Sequence, residues 1–121
     1  MKGLGVDLCA VERIEKNMNE RFLARYYTQE EREYILSRGK MGAQSAAAMF
    51  AAKEAFLKAV GCGIGAGIEL NEIGVRHVER GAPVDALCAA AEEKLRAMGA
   101  QRAFLSLTHE NGMAAAVCVI E

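Results

Sequence analysis

An apolar segment between residues 43 and 60 carries two opposite charges whose spacing could do chemistry. Glu54 and Lys58 lie four residues apart, so on an α-helix they share one face with Ala47 and Ala51. The two alanines leave space beside the carboxylate and the ammonium, as in the wall of a polar site. The alternative is an ordinary i,i+4 ion pair on a solvated face. Large apolar residues surround the two charges and favour the polar site.

The N-terminal segment can supply a second carboxylate. Residues 3–8 alternate three apolar residues with Gly5 and Asp7, a pattern typical of a strand with one packed face. Asp7 then lies on the glycine side of the strand, where another element can approach closely.

The C-terminal segment indicates a hairpin. Residues 104–109 alternate apolar and polar side chains, and Asn111-Gly112 precedes the apolar run 113–120. Asn-Gly between two such runs predicts a tight turn between antiparallel strands. His109 is therefore expected just before a turn.

These three segments together resemble a known family. GVDL at 5–8, FAAKEAFLKAVGCGIGAGI at 50–68 and SLTHE at 106–110 are similar, in order and spacing, to the holo-acyl-carrier-protein synthase family of small 4′-phosphopantetheinyl transferases. The central motif is specific, whereas the two flanking motifs alone would be weak. The resemblance implies transfer of the phosphopantetheine group of coenzyme A to a serine of apo acyl carrier protein, for fatty acid biosynthesis, with release of adenosine 3′,5′-bisphosphate.

Composition excludes several other classes of protein. A chain of 121 residues predicts one domain, residues 1–121, whose apolar surface oligomerisation would help to bury. The net charge of −1 argues against nucleic-acid binding, since phosphate-backbone binders carry a basic excess. The four cysteines form no C-x-x-C pair, which argues against a zinc site. The sequence has neither a signal-peptide pattern nor a membrane-spanning apolar run, so we expect a cytoplasmic protein without a membrane partner.

The order of elements predicts an α+β fold with an antiparallel sheet covered by helices. The periodic patterns and turn residues predict the following elements: strand 3–8, helix 11–25, a helix from the Thr28–Glu31 capping box to about 39, helix 43–60, strand 68–78, a turn at 80–83, helix 87–98 and strands 104–109 and 113–120. The glycines at 61–67 follow a helix, so they do not fit a dinucleotide fingerprint. The resemblance implies a distorted ferredoxin-like sheet and a homotrimer with active sites at subunit interfaces.

Transfer from a pyrophosphate requires charge neutralisation, an aligned hydroxyl and help for the leaving group. Mg²⁺ is usually held by one or two carboxylates with substrate phosphates and waters. Asp7 and Glu54 meet this requirement if the first strand packs on the central helix, and the resemblance implies that they bind Mg²⁺. Lys58 can stabilise charge on the departing diphosphate, and its family counterpart is a proposed acid. The base remains open between Glu54, directly or through a water on the metal, and Asp7.

Other residues are implicated in coenzyme A binding by the resemblance. The expected contacts are Lys58, Gly61, Gly63, Ile64, Gly65, Pro83, Ser106, Thr108 and His109. His109 could instead be a hydrogen-bonded turn residue, and the two hydroxyls could bond only to the backbone. The glycines could serve only as a helix C-cap and a tight return into the next strand.

Basic side chains recur every four residues on the first predicted helix. Arg13, Asn17, Arg21 and Arg25 would form one row on a helix spanning 11–25. The row could be an ordinary solvated face. Because acyl carrier proteins are acidic, the resemblance favours Arg13, Arg21 and Arg25 as carrier contacts.

One departure concerns nucleotide recognition. Met49 stands where many relatives have an arginine thought to face the 3′-phosphate of coenzyme A, and Arg80 is a candidate replacement.

The rival functions are a noncatalytic trimer that binds coenzyme A or a nucleotide, and a thioester acyltransferase that uses cysteine and histidine.

Overall fold

The computed structural model describes residues 1–61, 67–77, 83–87 and 89–121. It contains the following helices and strands. In chain order they are β1 (Gly3–Ala10), α1 (Val11–Asn17), α2 (Glu20–Tyr26), α3 (Gln29–Ser37), α4 (Gly42–Ala59), β2 (Ile73–His77), β3 (Pro83–Leu87), α5 (Ala89–Ala97), β4 (Ala103–Glu110) and β5 (Met113–Ile120). Short 3-10 helices span Gly39–Met41 and Leu70–Glu72.

The strands form two antiparallel sheets. The larger sheet has the order β1-β5-β4, and β2 pairs with β3 in a separate hairpin. Helix α4 packs across β1 and β5 and supplies much of the buried core. The predicted α+β class, with helices on an antiparallel sheet, is confirmed. In the described part of the chain, no helix has both the length and the apolar character needed to cross a bilayer.

The C-terminal hairpin agrees with its predicted turn. Asn111 and Gly112 have φ angles of 51° and 73°, and β4 pairs with β5 on either side of them. Two successive positive φ angles are those of a type I′ turn, which matches the twist of the flanking strands. Asn and Gly tolerate this conformation better than other residues.

The single helix predicted over residues 11–25 is wrong. Helix α1 ends at Asn17, and Asn19 begins α2 by accepting a hydrogen bond at Oδ1 from the backbone N–H of Phe22, at 2.8 Å. The helical spacing of apolar residues continues across residues 18–19, where the helix is interrupted, so it did not reveal the interruption. The asparagine cap is the local sign of a new helix start. The Thr28–Glu31 capping box at the start of α3 is confirmed.

The segment around residues 68–97 also differs from its prediction. Strand β2 begins only at Ile73, after a 3-10 turn, and β3 occupies residues expected to form a turn and a helix start. Pro83 is the first residue of β3. Proline has no N–H to donate to a neighbouring strand, and it is tolerated at the first position of a strand. Helix α5 consequently begins at Ala89 instead of residue 87. The other predicted turn residues, 80–82, lie outside the described residues.

The glycine side of β1 faces α4, as the sequence predicts. A Cβ atom at Gly5 would collide with the carbonyl oxygen of Ala55, and one at Gly3 would collide with that of Ala59. The glycines therefore allow the strand and helix backbones to approach closely. The apolar side of β1, expected to be packed, is exposed within this chain.

Candidate active site

The packing of β1 on α4 brings three predicted site residues together. The Lys58 ammonium donates to Asp7 Oδ1 at 3.0 Å and to the Val6 carbonyl at 3.2 Å. The Asp7 side chain is 15% exposed and the Lys58 side chain is 54% exposed, so the pair lies at the edge of the packed interface. The condition set for Asp7 and Glu54, that the first strand packs on the central helix, is met.

Glu54 lies beside this pair with one oxygen unsatisfied. Its Oε1 atom is buried and has no hydrogen-bond partner among the described residues. Burial raises the pKa of Glu54, the negative charge of Asp7 raises this pKa further, and the positive charges of Lys58 and Arg13 oppose the rise. A buried carboxylate oxygen without a donor is costly unless a cation or a proton reaches it.

The carboxylates suit an ion that takes few ligands from the protein. Within the described residues, no three His, Cys, Asp or Glu side chains are grouped so as to hold a metal. Two carboxylates are the usual protein contribution to a Mg²⁺ site that also uses waters and substrate phosphates. The orphaned oxygen of Glu54 and the neighbouring Asp7 thus fit Mg²⁺, and the hard oxygen donors suit it better than a thiophilic metal.

A cleft of about 390 Å³ opens beside these carboxylates. Asp7, Glu54 and Asn17 line it, together with Arg13 and Phe50. The Arg13 guanidinium lies 5.5 Å from the centre of the Phe50 ring, a cation–π contact. Arg13 therefore belongs to the mouth of the site, within the electrostatic reach of Glu54.

The other two arginines of the predicted row lie on a different helix. Arg21 and Arg25 are exposed on α2, and the Arg25 guanidinium lies 5.3 Å from the centre of the Tyr26 ring. The single row is wrong because the chain breaks between α1 and α2. Arg13 of α1 nevertheless lines the cleft, and Arg25 of α2 contacts Tyr26, which also lines it.

His109 is held by a residue that sequence reasoning missed. Gln44 Nε2 lies 2.6 Å from His109 Nδ1 across 65 positions of sequence. When the amide donates to Nδ1, the ring proton resides on Nε2, which is then left as a donor. No local pattern could have identified Gln44, since the contact depends on how α4 lies over β4.

The two hydroxyl residues lie on the opposite face of the sheet from Asp7 and His109. Across the strands, Ser106 pairs with Val117, and Thr108 with Ala115, in the rows that contain the exposed side chains of β1. Asp7 and His109 occupy the alternate rows, which face α4. Ser106 and Thr108 share a face, as predicted, but that face points away from the Glu54 cleft of the same chain.

The glycine segment is described only at its ends. Gly61 follows α4 with φ 79° and donates its N–H to the Lys58 carbonyl at 3.1 Å, in the manner of a helix C-terminal glycine. Gly63, Ile64 and Gly65 lie outside the described residues, as does Arg80. Pro83 is described only as the first residue of β3.

Met49, just before the central motif, and Lys53, within it, are in the core. Met49 is buried, so it does not stand in for an exposed arginine at a phosphate. Lys53 is completely buried and bonds to Glu31, away from the Glu54 cleft. The capping-box role of Glu31 gave no sign of this pair, which joins residues 22 positions apart.

Comparison with protein families identifies the family in which this group of side chains occurs. The profile of the 4′-phosphopantetheinyl transferase superfamily matches residues 3–118, nearly the whole chain. The chain belongs to this superfamily. The resemblance drawn from the three sequence segments is thus confirmed. The cluster of Asp7, Glu54 and Lys58 lies within a phosphopantetheinyl transferase fold.

Individual transferases resemble the chain over its full length. A holo-[acyl-carrier-protein] synthase from Treponema denticola is 47% identical over 120 residues, which cover 98% of this chain and 97% of the relative. The crystal structure of the synthase from Neisseria meningitidis has a TM-score of 0.90 at 34% identity, covering 100% of this chain and 98% of that chain. The Helicobacter pylori synthase, solved in complex with coenzyme A, has a TM-score of 0.81 at 30% identity, covering 98% and 99%.

Proposed function

We propose that Asp7 and Glu54 hold a magnesium ion when this chain transfers the 4′-phosphopantetheine group of coenzyme A to a serine of apo acyl carrier protein. The transfer itself is supported by full-length similarity to holo-[acyl-carrier-protein] synthases, one of them bound to coenzyme A. One observation carries the metal proposal: a buried carboxylate oxygen of Glu54 lacks a donor in the described part of the chain and lies near a second carboxylate.

The reaction breaks one phosphorus–oxygen bond and forms another. The serine oxygen bonds to the phosphorus that carries pantetheine, and adenosine 3′,5′-bisphosphate leaves with the bridging oxygen. When bound, Mg²⁺ supplies charge neutralisation at the pyrophosphate. Glu54 is our first candidate to take the serine proton and Asp7 the second. Burial of Glu54 supports this order, because a raised pKa makes a carboxylate a better base.

Lys58 has the position required to stabilise the leaving group. Its ammonium bonds to Asp7 yet remains 54% exposed, so it can contact a pyrophosphate that reaches the carboxylates. A lysine at this point neutralises negative charge that develops on the departing oxygen, and it can donate a proton to that oxygen. We therefore assign Lys58 to the leaving group and to coenzyme A binding.

Coenzyme A binding is proposed to use both faces of the sheet. The proposed contacts beyond Lys58 are Gly61, Gly63, Ile64, Gly65, Pro83, Ser106, Thr108 and His109. Ser106 and Thr108 face away from the Glu54 cleft of their own chain, so they can serve an active site only together with a second copy. This arrangement supports the homotrimer with interfacial sites that the family resemblance implies.

The exposed side of the larger sheet supports the same assembly. We call it the outer face, and its exposed large apolar residues are Leu4, Val6, Leu8, Phe104, Met113 and Val117. A contiguous exposed apolar patch on a chain of 121 residues marks an interaction surface. Burial of this face between copies would also compensate for the small core of the single chain.

The acidic acyl carrier protein is proposed to approach the mouth of the cleft. Arg13 lies in the cleft wall, and Arg21 and Arg25 are exposed on the next helix. Positive charge around the entrance would guide an acidic partner so that its serine meets the carboxylates. The cytoplasmic location stays a prediction from the sequence.

The test uses intact protein mass. The chain is incubated with apo acyl carrier protein, coenzyme A and Mg²⁺, with and without a chelator, and the mass of the carrier is recorded. We expect one phosphopantetheine group to be added, only without chelator, and the Glu54→Ala variant to lose the activity. Glu12→Ala, at an exposed ion pair, is the matched control and should remain active.

Three results would contradict parts of the proposal. Modification that persists in chelator would reject the metal. Full activity of Glu54→Ala would reject the assigned mechanism. An unmodified carrier with coenzyme A still bound would instead support the noncatalytic binding trimer.

A further inference from the structure

The central motif contains a buried ion pair that the proposed chemistry does not use. Lys53 and Glu31 are 0% and 2% exposed, and Lys53 Nζ lies 2.5 Å from Glu31 Oε1. The same ammonium donates to the Leu70 carbonyl at 3.0 Å and lies 5.2 Å from the centre of the Tyr27 ring. Each of these neighbours stabilises the charged form of the lysine.

Glu31 is equally well satisfied. Its Oε1 atom accepts the Thr28 N–H at 2.8 Å, and its Oε2 atom accepts the Val75 N–H at 2.6 Å. The two side chains together thus join α4 to the start of α3, to the 3-10 turn at Leu70–Glu72 and to β2. Three parts of the chain that are distant in sequence, the start of α3, α4 and residues 70–75, meet at one buried pair.

Stability alone gives weak grounds for such a pair. Burial lowers the pKa of Lys53, and the charge of Glu31 opposes this effect, so the desolvation cost and the attraction act against each other. Apolar residues of similar volume often replace a buried ion pair without loss of stability, whereas removal of one partner is costly. A pair of this kind instead specifies where its segments lie, because its hydrogen bonds have fixed directions.

The segments that it fixes adjoin the proposed coenzyme A contacts in sequence. Lys53 precedes Glu54 in α4, and Leu70 and Val75 belong to the chain that returns to the helix after the glycine segment. We infer that the Glu31–Lys53 pair is a positioning pair for coenzyme A, which holds residues 67–75 in a set place relative to the α4 face carrying Glu54 and Lys58. This inference rests on the proposed coenzyme A chemistry.

The carrier-binding side has other supports. Tyr27 donates its hydroxyl proton to the Ala46 carbonyl at 2.7 Å, and Glu31 N–H donates to Thr28 Oγ1 at 3.1 Å. The first bond keeps the α2–α3 junction against α4 when Lys53 is replaced, and the second keeps the start of α3 capped. Loss of the ammonium should therefore affect coenzyme A more strongly than the carrier protein.

The experiment compares Lys53→Met with the double variant Glu31→Leu/Lys53→Met. Methionine keeps the length of the side chain without its charge, and the double variant leaves no buried charge unpaired. Lys16→Met, which removes an exposed ion pair, is the matched control. For each protein we would measure the Tm, the Kd for coenzyme A by calorimetry, and the KM for coenzyme A and for the carrier.

We expect Lys53→Met to lower the Tm and to raise the Kd and KM for coenzyme A about tenfold, with the KM for the carrier within about twofold of the original. The double variant should recover only part of the lost Tm, because it leaves no buried charge unpaired but removes the acceptor of the Thr28 and Val75 N–H groups, and it should keep the weak coenzyme A binding. A merely structural pair would lose and recover both properties together.

The inference would be overturned if the double variant bound coenzyme A as tightly as the original protein. It would also fail if the KM values for coenzyme A and carrier rose equally. Should Lys53→Met fail to fold, the double variant alone decides between these results. Absence of transfer by the original protein would reject the proposed function, whereas calorimetry would still test the positioning pair.

Discussion

Glu54 is the residue at which stability and function oppose each other most directly. One of its oxygens is buried with no donor among the described residues, and the negative charge of Asp7 repels it. A group of this kind lowers the free energy of unfolding of the metal-free protein and is typical of a site that binds a charged ligand. The proposed Mg²⁺ would bind to the same oxygen and offset this cost.

Glu54→Gln should therefore stabilise the chelated protein while removing its activity. The neutral amide relieves the repulsion by Asp7, so we expect the Tm to rise by a few degrees, equivalent to about 1 kcal/mol. Carrier modification should fall at least about 100-fold. Calorimetry in chelator and the carrier mass assay measure the two effects. Glu12→Gln should change neither, and a lower Tm for Glu54→Gln would contradict this account.

The contact between Gln44 and His109 gives a second prediction for a single residue. Without the amide, the imidazole is free to rotate and to change its tautomer, so fewer molecules present Nε2–H to a phosphate. We expect Gln44→Ala to raise the KM for coenzyme A about two- to tenfold, the worth of one hydrogen bond, with little change in kcat. Gln101→Ala, at an exposed position, is the control. An unchanged KM would remove His109 from the binding site.

Among the elements, β1 and α4 form the contact on which the site depends. Asp7 lies two residues after Gly5, and Glu54 and Lys58 lie on the turns of α4 near Ala55. The distance between strand and helix therefore sets the distance between the carboxylates. Glycines at 3 and 5 allow that distance to be short.

Gly5→Ala should accordingly separate the two elements. Its Cβ would meet the backbone of Ala55 and Ala59, which cannot move as a side chain tip can. We expect a loss of about 2 kcal/mol or more of unfolding free energy, measured by urea denaturation, and a large loss of activity. Gly39→Ala is the control. Alanine at the φ of 55° found there loses only about 1 kcal/mol, and no atom lies within 4 Å of the added Cβ. Retention of full activity by Gly5→Ala would contradict the close packing.

For the whole molecule, the outer face is the feature that a single chain does not satisfy. Val6 is 57% exposed at the centre of that face, in the same cross-strand row as Val117 and Ser106. Copies that cover the face would bring Ser106 and Thr108 toward an active site of a neighbouring copy. Assembly and activity should then depend on the same surface.

Val6→Glu tests this dependence. A charge at the centre of an apolar interface must be desolvated, so we expect dissociation to monomers and at least about a tenfold loss of carrier modification. Light scattering should give about three times the chain mass of 13.0 kDa for the original protein and a single chain mass for the variant. Leu36→Glu, at an exposed leucine outside the sheet, should stay assembled. A monomeric original protein would reject the trimer.

Local chemistry made several elements predictable from the sequence. The turn at Asn111-Gly112 and the capping box at Thr28 depend on neighbouring residues, and α4 depends on a long apolar run. Such features are specified by interactions within a few positions. The motifs likewise specified the family, and the alternation of β1 specified which side of the strand carries Asp7.

Tertiary structure decided what depends on contacts between distant segments. The apolar period of residues 11–25 could not reveal the break at Asn19, and β3 is a strand because it pairs with β2, a separate segment of the chain. The Gln44–His109 and Lys53–Glu31 contacts span 65 and 22 positions. The sequence by itself determined the family, the main elements and the charged groups of the site; packing determined their partners, because side chains meet across elements only once the backbones have been placed.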